Sequence, residues 1–294
     1  MHCEQGGRRA QDPPMEPRSG RRAATGLVLG SALSSQIGAA VGSMAFPVIG
    51  PAGVVAVRQF VAAVTLMALV RPPLRTFSRR QWWPVIALAV VFGGMNLSLY
   101  LAVDRVGLGL AVTLEFLGPL GVALATSRTR ATGFCALLAV GGVVLLTDPT
   151  PSTDWLGVAF GLLAATGWAC YILLNREVGR RIPGVQGSAA AAGISGVLFI
   201  PVAVITFLHH TPTAAAIGGA LVTGLLSSVV PQVADLVTLR RVPAHLFGIL
   251  MSAHPVFAAA VGWVVLHQSL VWSQWLGIGA IVGANVLALR GRSR

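Results

Sequence analysis

The residue whose type and position most clearly indicate chemistry is Glu115, an acid inside a long apolar stretch. It lies one helical turn before Pro119, in the run Leu-Glu-Phe-Leu-Gly-Pro. An ionisable group at the depth of a lipid bilayer costs roughly 3 kcal/mol or more, and a proline opens a polar, bendable spot in a helix. We therefore predict that Glu115 binds a proton or the ammonium group of a substrate. A protonated glutamate that only bonds a neighbouring helix is the structural alternative.

Arg58 is a second charged residue within an apolar stretch, about 10 Å from its outer end at ~1.5 Å rise per residue. It is a candidate to bind a substrate carboxylate. Alternatively, its long side chain reaches the membrane interface and stabilises the fold. An ion pair with Glu115 would make both residues structural.

Two further ionisable residues fall in the second half of the chain. Asp235 is followed by Arg240 and Arg241, so it is either an inner gate or second proton site, or one half of an interfacial ion pair. His254 directly precedes Pro255. Because histidine titrates near neutrality, His254 is a candidate proton relay, with a hydrogen-bonded packing histidine as the alternative.

Uncharged polar and aromatic residues occur at spacings that place them on one face of a helix. Taken singly, each pair is explained by a bond between helices. Taken together with the fourth and ninth apolar segments, they predict a central aqueous cavity. The pairs are Asn96 with Tyr100, Ser31 with Ser35 and the adjacent Gln36, Trp168 with Tyr171, and Gln232 with Asp235.

Composition indicates which elements must position these residues. The chain has 294 residues, of which 55% are hydrophobic and 10% charged, against about 25% charged in soluble domains. This composition predicts an all-α integral membrane protein in contact with the lipid bilayer, because no segment alternates as membrane β-strands do. Residues 1–23 are polar and read as a disordered tail. Ten apolar windows follow, at 24–46, 51–70, 83–101, 106–126, 131–147, 155–174, 185–207, 214–238, 244–266 and 272–289.

The arginines predict the orientation of these ten transmembrane helices. The chain has no lysine, and with a cytoplasmic N-terminus 19 of its 21 arginines fall in inside segments. Arginine resists translocation. We therefore predict a multi-pass membrane protein with both termini cytoplasmic, including a short C-terminal end at 291–294.

The halves at 24–147 and 148–290 resemble each other. Pro119 aligns with Pro255, and Asn96 aligns with Gln232 at the same spacing. Because each half has five predicted helices, the second must be inverted relative to the first. Inverted repeats with a site near the midplane are typical of secondary transporters. Small-residue spacings that permit close helix contacts leave a homodimer open.

Several functions are excluded by what the sequence lacks. No phosphate loop, zinc-ligand spacing or nucleophile motif is present, so we expect no metal, no cofactor and no enzymatic activity. The net charge of +12 comes from short arginine clusters between apolar segments, whereas binding of nucleic acid needs a basic face on a folded domain.

The run Gly93-Gly94-Met95-Asn96 with Tyr100, followed by the Glu115 and Pro119 segment, resembles bacterial threonine/homoserine exporters of the drug/metabolite transporter superfamily. Segments around Trp168 and Tyr171, and from Asp235 to Ser252, match the same family in order. The resemblance implies ten helices in two EamA-type repeats around a cavity. It also implies a location in the bacterial inner membrane and efflux of small amino acids by proton exchange.

The sequence departs from the family in ways that affect the coupling ion. His254 stands where such exporters often have a glutamate, and His267-Gln268 replaces a common Gly-Glu. We predict a secondary transporter that exports threonine- or homoserine-like amino acids by alternating access. A substitution at Glu115 is the best test of this prediction. An exporter of other metabolites or drugs is the first alternative. A membrane scaffold or sensor that transports nothing is the second.

Overall fold

The computed structural model describes residues 18–125, 130–147, 154–238 and 249–290 of the chain. Side chains at 18–24, 130–132, 235–238 and 289–290 lie outside that description. The described residues are helical apart from short connections, and they contain no strand. The prediction of an all-α membrane protein is confirmed at this level. Most of the predicted tail and the C-terminal end at 291–294 fall outside the described residues, and the first helix begins at Arg18.

The first half of the chain forms six helices, three of which meet at tight breaks. They are α1 Arg18–Ser43, α2 Phe46–Val70, α3 Arg79–Val106, α4 Leu108–Glu115, α5 Leu117–Ala125 and α6 Arg130–Thr147.

Within its described residues, the second half forms seven more α-helices of eight residues or longer and one π-helical segment, Leu225–Val229. The helices are α7 Trp155–Arg181, α8 Gln186–Leu198, α9 Ile200–His209, α10 Ala214–Gly224, α11 Val230–Thr238, α12 His254–Leu266 and α13 Trp272–Arg290.

Within the described residues, the predicted windows overlap the helices given above, and residues 244–248 of the ninth window lie outside the description. Seven segments within the described residues are long and apolar enough to cross a membrane. They are Phe46–Val70, Arg79–Val106, Leu108–Ala125, Trp155–Arg181, Gln186–His209, Ala214–Ala234 and Ile249–Leu266. The chain is therefore a multi-pass membrane protein. Ten crossings and the inverted repeat stay predictions.

Prolines lie at several helix breaks, whereas α3 and α4 meet at Gly107, which has a positive φ of 82°. A proline has no backbone N–H, so it leaves the carbonyl four residues before it without its helical partner. Pro119 follows the break between α4 and α5, and Pro201 is the second residue of α9. Pro231 follows the π-helical segment, so the carbonyl of Ser227 loses its ordinary donor.

Helices from the two halves pack directly on one another. α3 packs along α7, α2 along α8 and α6 along α13. α4 contacts α12, and α1 contacts α11 and the π-helical segment. Large apolar side chains such as Phe60, Leu137 and Leu208 are exposed on the outside of the bundle, where the hydrocarbon of a bilayer would cover them.

The two ends of the bundle are fastened differently. At the arginine-rich end, defined by Arg71, Arg79, Arg80, Arg180 and Arg181, α3 and α7 are joined by side chains. The Gln81 amide donates to the Arg181 carbonyl at 2.8 Å, and the Arg181 guanidinium lies 5.2 Å from the Trp83 ring centroid.

At the opposite end, Arg105 forms a salt bridge of 3.0 Å with Asp154. The Asp154 carboxylate also caps α7 by accepting from the backbone N–H of Gly157. This backbone hydrogen bond, with Arg105, holds the pKa of Asp154 below its ordinary value. Nearby, Gln268 accepts a hydrogen bond from the backbone N–H of Leu108. These bonds join α3 to α7 and α4 to the loop after α12.

Candidate functional site

A cavity of about 570 Å³ lies in the middle of the bundle and is lined by side chains from both halves of the chain. Its wall is mostly apolar, with polar groups at defined points. Eight of the ten residues predicted to bind substrate or protons line it. They are Gln36, Arg58, Asn96, Glu115, Trp168, Tyr171, Gln232 and His254. Pro119 lines it as well.

Glu115 is the last residue of α4, at the break before α5. Its side chain is buried, 7% exposed, and lines the cavity. Pro119 removes the N–H that would otherwise bond the Glu115 carbonyl in a continuous helix. Within the described residues, no hydrogen bond or salt bridge engages the Glu115 carboxyl. The ion pair with Arg58 considered from the sequence is not formed there.

Arg58 lies in the middle of α2 and is 8% exposed, so it does not extend to the membrane interface. Its Nε–H donates to the Ser228 hydroxyl at 3.0 Å, and its Nη2 donates to the Ser227 carbonyl at 3.0 Å. Its guanidinium carbon stands 5.3 Å from the centroid of the Tyr100 ring. The π-helical segment thus holds the guanidinium at the cavity wall.

His254 begins α12 and is buried beside the cavity. Its Nδ1 bonds the Gln36 amide nitrogen at 2.9 Å, joining α12 to α1. The Gln36 amide nitrogen donates to Nδ1 in the tautomer that carries its proton on Nε2. The Phe116 ring lies 5.5 Å from the imidazole, directly after Glu115 in sequence.

Three polar side chains complete the middle of the site. Asn96 donates its amide to the Phe92 carbonyl at 2.8 Å, so its side-chain oxygen is the atom left to accept a hydrogen bond. Gln232 lines the cavity, and its Oε1 atom is buried without a hydrogen-bond partner among the described residues. Tyr100 does not line the cavity; it is packed behind the wall against Phe46 and under Arg58.

Aromatic side chains form one wall. Phe116 meets Trp168 edge to face at 4.5 Å between centroids, and Phe92 lies 5.9 Å from Tyr171. These contacts bring α3 and the α4–α5 break against α7, as expected from the spacing of Trp168 and Tyr171.

The remaining predicted site residues are not part of the cavity as described. Pro255 follows His254 and is buried in α12. Asp235 belongs to α11, but its side chain lies outside the described residues. Its roles as an inner gate or second proton site stay predictions.

Some cavity residues were missed from the sequence. The Ser188 hydroxyl donates to Asn175 at 2.9 Å, and both line the cavity with Asn285. Ser227 also lines it. Asn285 is isolated in an apolar helix, which is a weak signal that could have been used. Ser227 is identified only through the π-helical segment, which sequence periodicity does not show.

The cavity extends toward one end of the bundle. Its lining includes Leu66 and Val70 on α2, and Asn175 and Ser188 beside the end of α7. These positions adjoin the arginine-rich end. Toward the opposite end the interior is filled by packed apolar residues, including Val103 and Leu108.

The described residues contain no cluster of three or more histidine, cysteine or acidic side chains that could hold a metal ion. The chemistry available in the cavity is therefore that of one carboxyl, one guanidinium, an imidazole and several neutral hydrogen-bonding groups.

The chain is similar to known membrane proteins over most of its length. Residues 155–290 match the EamA-like transporter family. The threonine/homoserine exporter RhtA of Escherichia coli is 33% identical over 263 residues, covering 88% of this chain and 89% of the relative. RhtA of Salmonella typhimurium is 33% identical over 264 residues, with the same coverage.

Two more distant matches extend the comparison to a further transporter and to the fold of a solved structure. An uncharacterized transporter of Bacillus subtilis, YwfM, is 26% identical over 214 residues, covering 69% of this chain and 72% of the relative. A crystal structure, described only as that of a protein, shares the fold with a TM-score of 0.61 at 17% identity, covering 92% of this chain and 98% of its own. The chain belongs to the threonine/homoserine exporter family of the drug/metabolite transporter superfamily, which is built from EamA-type units.

Proposed function

We propose that this protein exports threonine- or homoserine-like amino acids across the bacterial inner membrane by alternating access, coupled to protons. The observation that carries the proposal is the Glu115 carboxyl, buried in a central cavity and unpaired within the described residues. The relatives named as threonine/homoserine exporters supply the class of substrate.

Glu115 can serve both substrate and proton because the two would compete for one carboxylate. A buried carboxylate is costly unless it is neutralised by a proton or by a cation. An amino acid's ammonium group is such a cation. Export would then follow if substrate binding on one side displaces a proton that is taken up on the other.

The neutral groups fit a small side chain that carries a hydroxyl. The side-chain oxygen of Asn96 is an acceptor that a hydroxyl or ammonium can donate to, and the side chain of Gln232 lines the same cavity. Trp168 and Phe116 supply an apolar wall beside them.

Alternating access is supported by the difference between the two ends. The cavity lining extends toward the arginine-rich end, while Arg105–Asp154 and Gln268–Leu108 fasten the opposite end. If the arginine-rich end is cytoplasmic, as positive loops favour, this conformation accepts substrate from the cell. The cross-half pairs α2–α8, α4–α12 and α6–α13 support two inverted repeats about this cavity.

The purified full-length protein in proteoliposomes with an imposed pH gradient tests the proposal. A panel of labelled L-threonine, L-homoserine, larger amino acids and unrelated cationic drugs should show gradient-dependent flux of the first two. Flux of drugs alone, with no competition by threonine or homoserine, would replace amino-acid export with drug export. Absence of flux for the whole panel would favour a scaffold or sensor.

A further inference from the structure

The cavity holds a buried guanidinium and a buried carboxyl group that form no salt bridge with each other within the described residues. Arg58 and Glu115 are 8% and 7% exposed, and both line the cavity. Within the described residues the salt bridges are Arg105–Asp154, Arg180–Glu177 and Arg181–Glu177, and neither cavity group takes part. Removing two charges from water without pairing them is unfavourable. A ligand with both charges would satisfy the two groups at once.

The hydrogen bonds that hold the Arg58 guanidinium leave some of its N–H donors for such a ligand. A guanidinium has five N–H donors in a rigid fork that matches a carboxylate. The contacts to Ser227 and Ser228 use two of them, one on Nε and one on Nη2. The other three, on the two terminal nitrogens, are available to the neighbouring Tyr100 hydroxyl and to a ligand. Both partners of Arg58 are uncharged, so its positive charge is not neutralised by them.

The local sequence of the second half places the hydrogen-bond partners of Arg58. Because Pro231 has no N–H, the Ser227 carbonyl lacks its ordinary helical donor, and Arg58 donates to it instead. The π-helical segment Leu225–Val229 places Ser227 and Ser228 toward α2. Single π turns of this kind are frequent at functional sites. Tyr100, under the guanidinium, supports the cation through its ring.

We propose that Arg58 is the carboxylate-binding residue of a two-ended clamp, in which Glu115 binds the ammonium group of the same zwitterionic amino acid. This inference rests on the proposed function and adds the class of ligand: the substrate carries both a free carboxylate and a free ammonium group. Ser227 and Ser228 are positioning residues that fix the fork of Arg58.

The test uses homoserine and two analogues that each lack one charge. Homoserinol lacks the carboxylate, and γ-hydroxybutyrate lacks the ammonium group. Binding to the full-length protein is measured by competition with labelled homoserine. The parent should bind homoserine about 10- to 100-fold more tightly than homoserinol, the range for losing a charge-assisted hydrogen bond. In the Arg58→Gln variant, the affinity for homoserine should fall to within about threefold of the affinity for homoserinol. The affinity for homoserinol should be the same as in the parent.

Companion variants separate binding from folding. Arg58→Lys keeps the charge without the fork and should give an intermediate preference. Ser228→Ala should reduce the preference about threefold, because the guanidinium loses one anchor. Arg105→Gln makes the same kind of substitution outside the cavity and should leave the preference unchanged. The clamp is wrong if the Arg58 and Ser228 variants keep the parental ratio of the affinities for homoserine and homoserinol, even where both affinities fall.

Different experimental results would contradict the clamp and the proposed function. A parent protein that prefers homoserine over homoserinol but moves neither across the membrane would retain the clamp and overturn export. One that exports homoserine without preferring it to homoserinol would retain export and overturn the clamp. A parent that neither binds nor moves homoserine overturns both.

Discussion

Two prolines that align between the halves of the chain, Pro119 and Pro255, lie beside the same cavity with different chemistry before them. In the first half, Glu115 lines the cavity and its carboxyl is unpaired within the described residues. In the second, His254 also lines the cavity, but its Nδ1 is bonded to Gln36 at 2.9 Å. One site presents a group that is free to exchange partners, and the other presents a group that joins two helices.

The residues directly before the two prolines differ in packing as well. Gly118 precedes Pro119, and a Cβ atom added there would run into the backbone carbonyl of Ala165 on α7. The corresponding residue before Pro255 is His254, whose ring contacts Phe116. Gly118 therefore allows close contact between α5 and α7, whereas the side chain of His254 forms a hydrogen bond between helices. We infer that Glu115 changes state during transport while His254 supports the site.

The largest expected effect comes from neutralising the free acid. Glu115→Gln keeps the size of the side chain but cannot bind a proton or an ammonium group as a carboxylate does. Gradient-driven homoserine flux in proteoliposomes should fall by at least about tenfold, the loss of one charged interaction. Glu177→Gln is the matched control, because Glu177 pairs with Arg180 and Arg181 on the surface. Equal homoserine flux in the two variants would show that Glu115 matters no more for transport than the surface acid Glu177.

A second change tests the packing at the first proline. Gly118→Ala should destabilise the protein by about 1–3 kcal/mol, the range for overpacking, because the clash is with backbone that cannot move aside easily. Gly121→Ala on the same helix is the control, since nothing lies within 4 Å of an added Cβ there. Thermal unfolding in detergent measures both. Similar melting temperatures for the two variants would show that α5 and α7 do not need this close approach.

A third change tests whether His254 is a structural partner. His254→Leu and Gln36→Leu should each cost about 1–3 kcal/mol, because each leaves a buried polar group unpaired. The double variant should cost less than the sum, since neither polar group then remains. Homoserine flux should fall less than in Glu115→Gln. Additive losses in stability, or flux as low as in Glu115→Gln, would make His254 a transport residue in its own right.

The smallest expected effect lies at the opposite end, remote from both prolines. Asp154 has a lowered pKa because it accepts from the Gly157 backbone and pairs with Arg105. Its stabilising contribution is therefore present above the ordinary pKa of aspartate and is lost as the pH falls through the lowered value. Asp154→Asn should change the melting temperature little at neutral pH, because the pair is exposed.

The pH dependence provides the check on this pair. The parent begins to lose the contribution below about pH 4, the ordinary pKa of aspartate. The parent and Asp154→Asn should converge once the pH is below the lowered pKa of Asp154. A large loss of stability in Asp154→Asn at neutral pH would show that this bridge, and not the packed interior, keeps the opposite end closed.

Much of the site could be predicted because membrane burial makes polar residues rare and therefore informative. Glu115, Asn96, Trp168 and Gln232 were selected for this reason, and all line one cavity. The helical segments followed from runs of apolar residues of membrane length.

Other features depend on contacts between distant segments that no local pattern encodes. The anchor of Arg58 needs the Ser227 carbonyl, which is free only because Pro231 and a π turn interrupt the helix. The bond between Gln36 and His254 joins residues 218 positions apart. Tyr100 shares a helical face with Asn96, yet the one-turn offset places it behind the cavity wall, against Phe46.

Proton movement on addition of substrate tests the central role of Glu115 most directly. Homoserine is added to proteoliposomes without an imposed pH gradient, and the internal pH is followed with a trapped dye. We predict that the parent and Glu177→Gln move protons opposite to homoserine, whereas Glu115→Gln moves none. Homoserine-driven proton movement in Glu115→Gln at the parental rate would contradict the account.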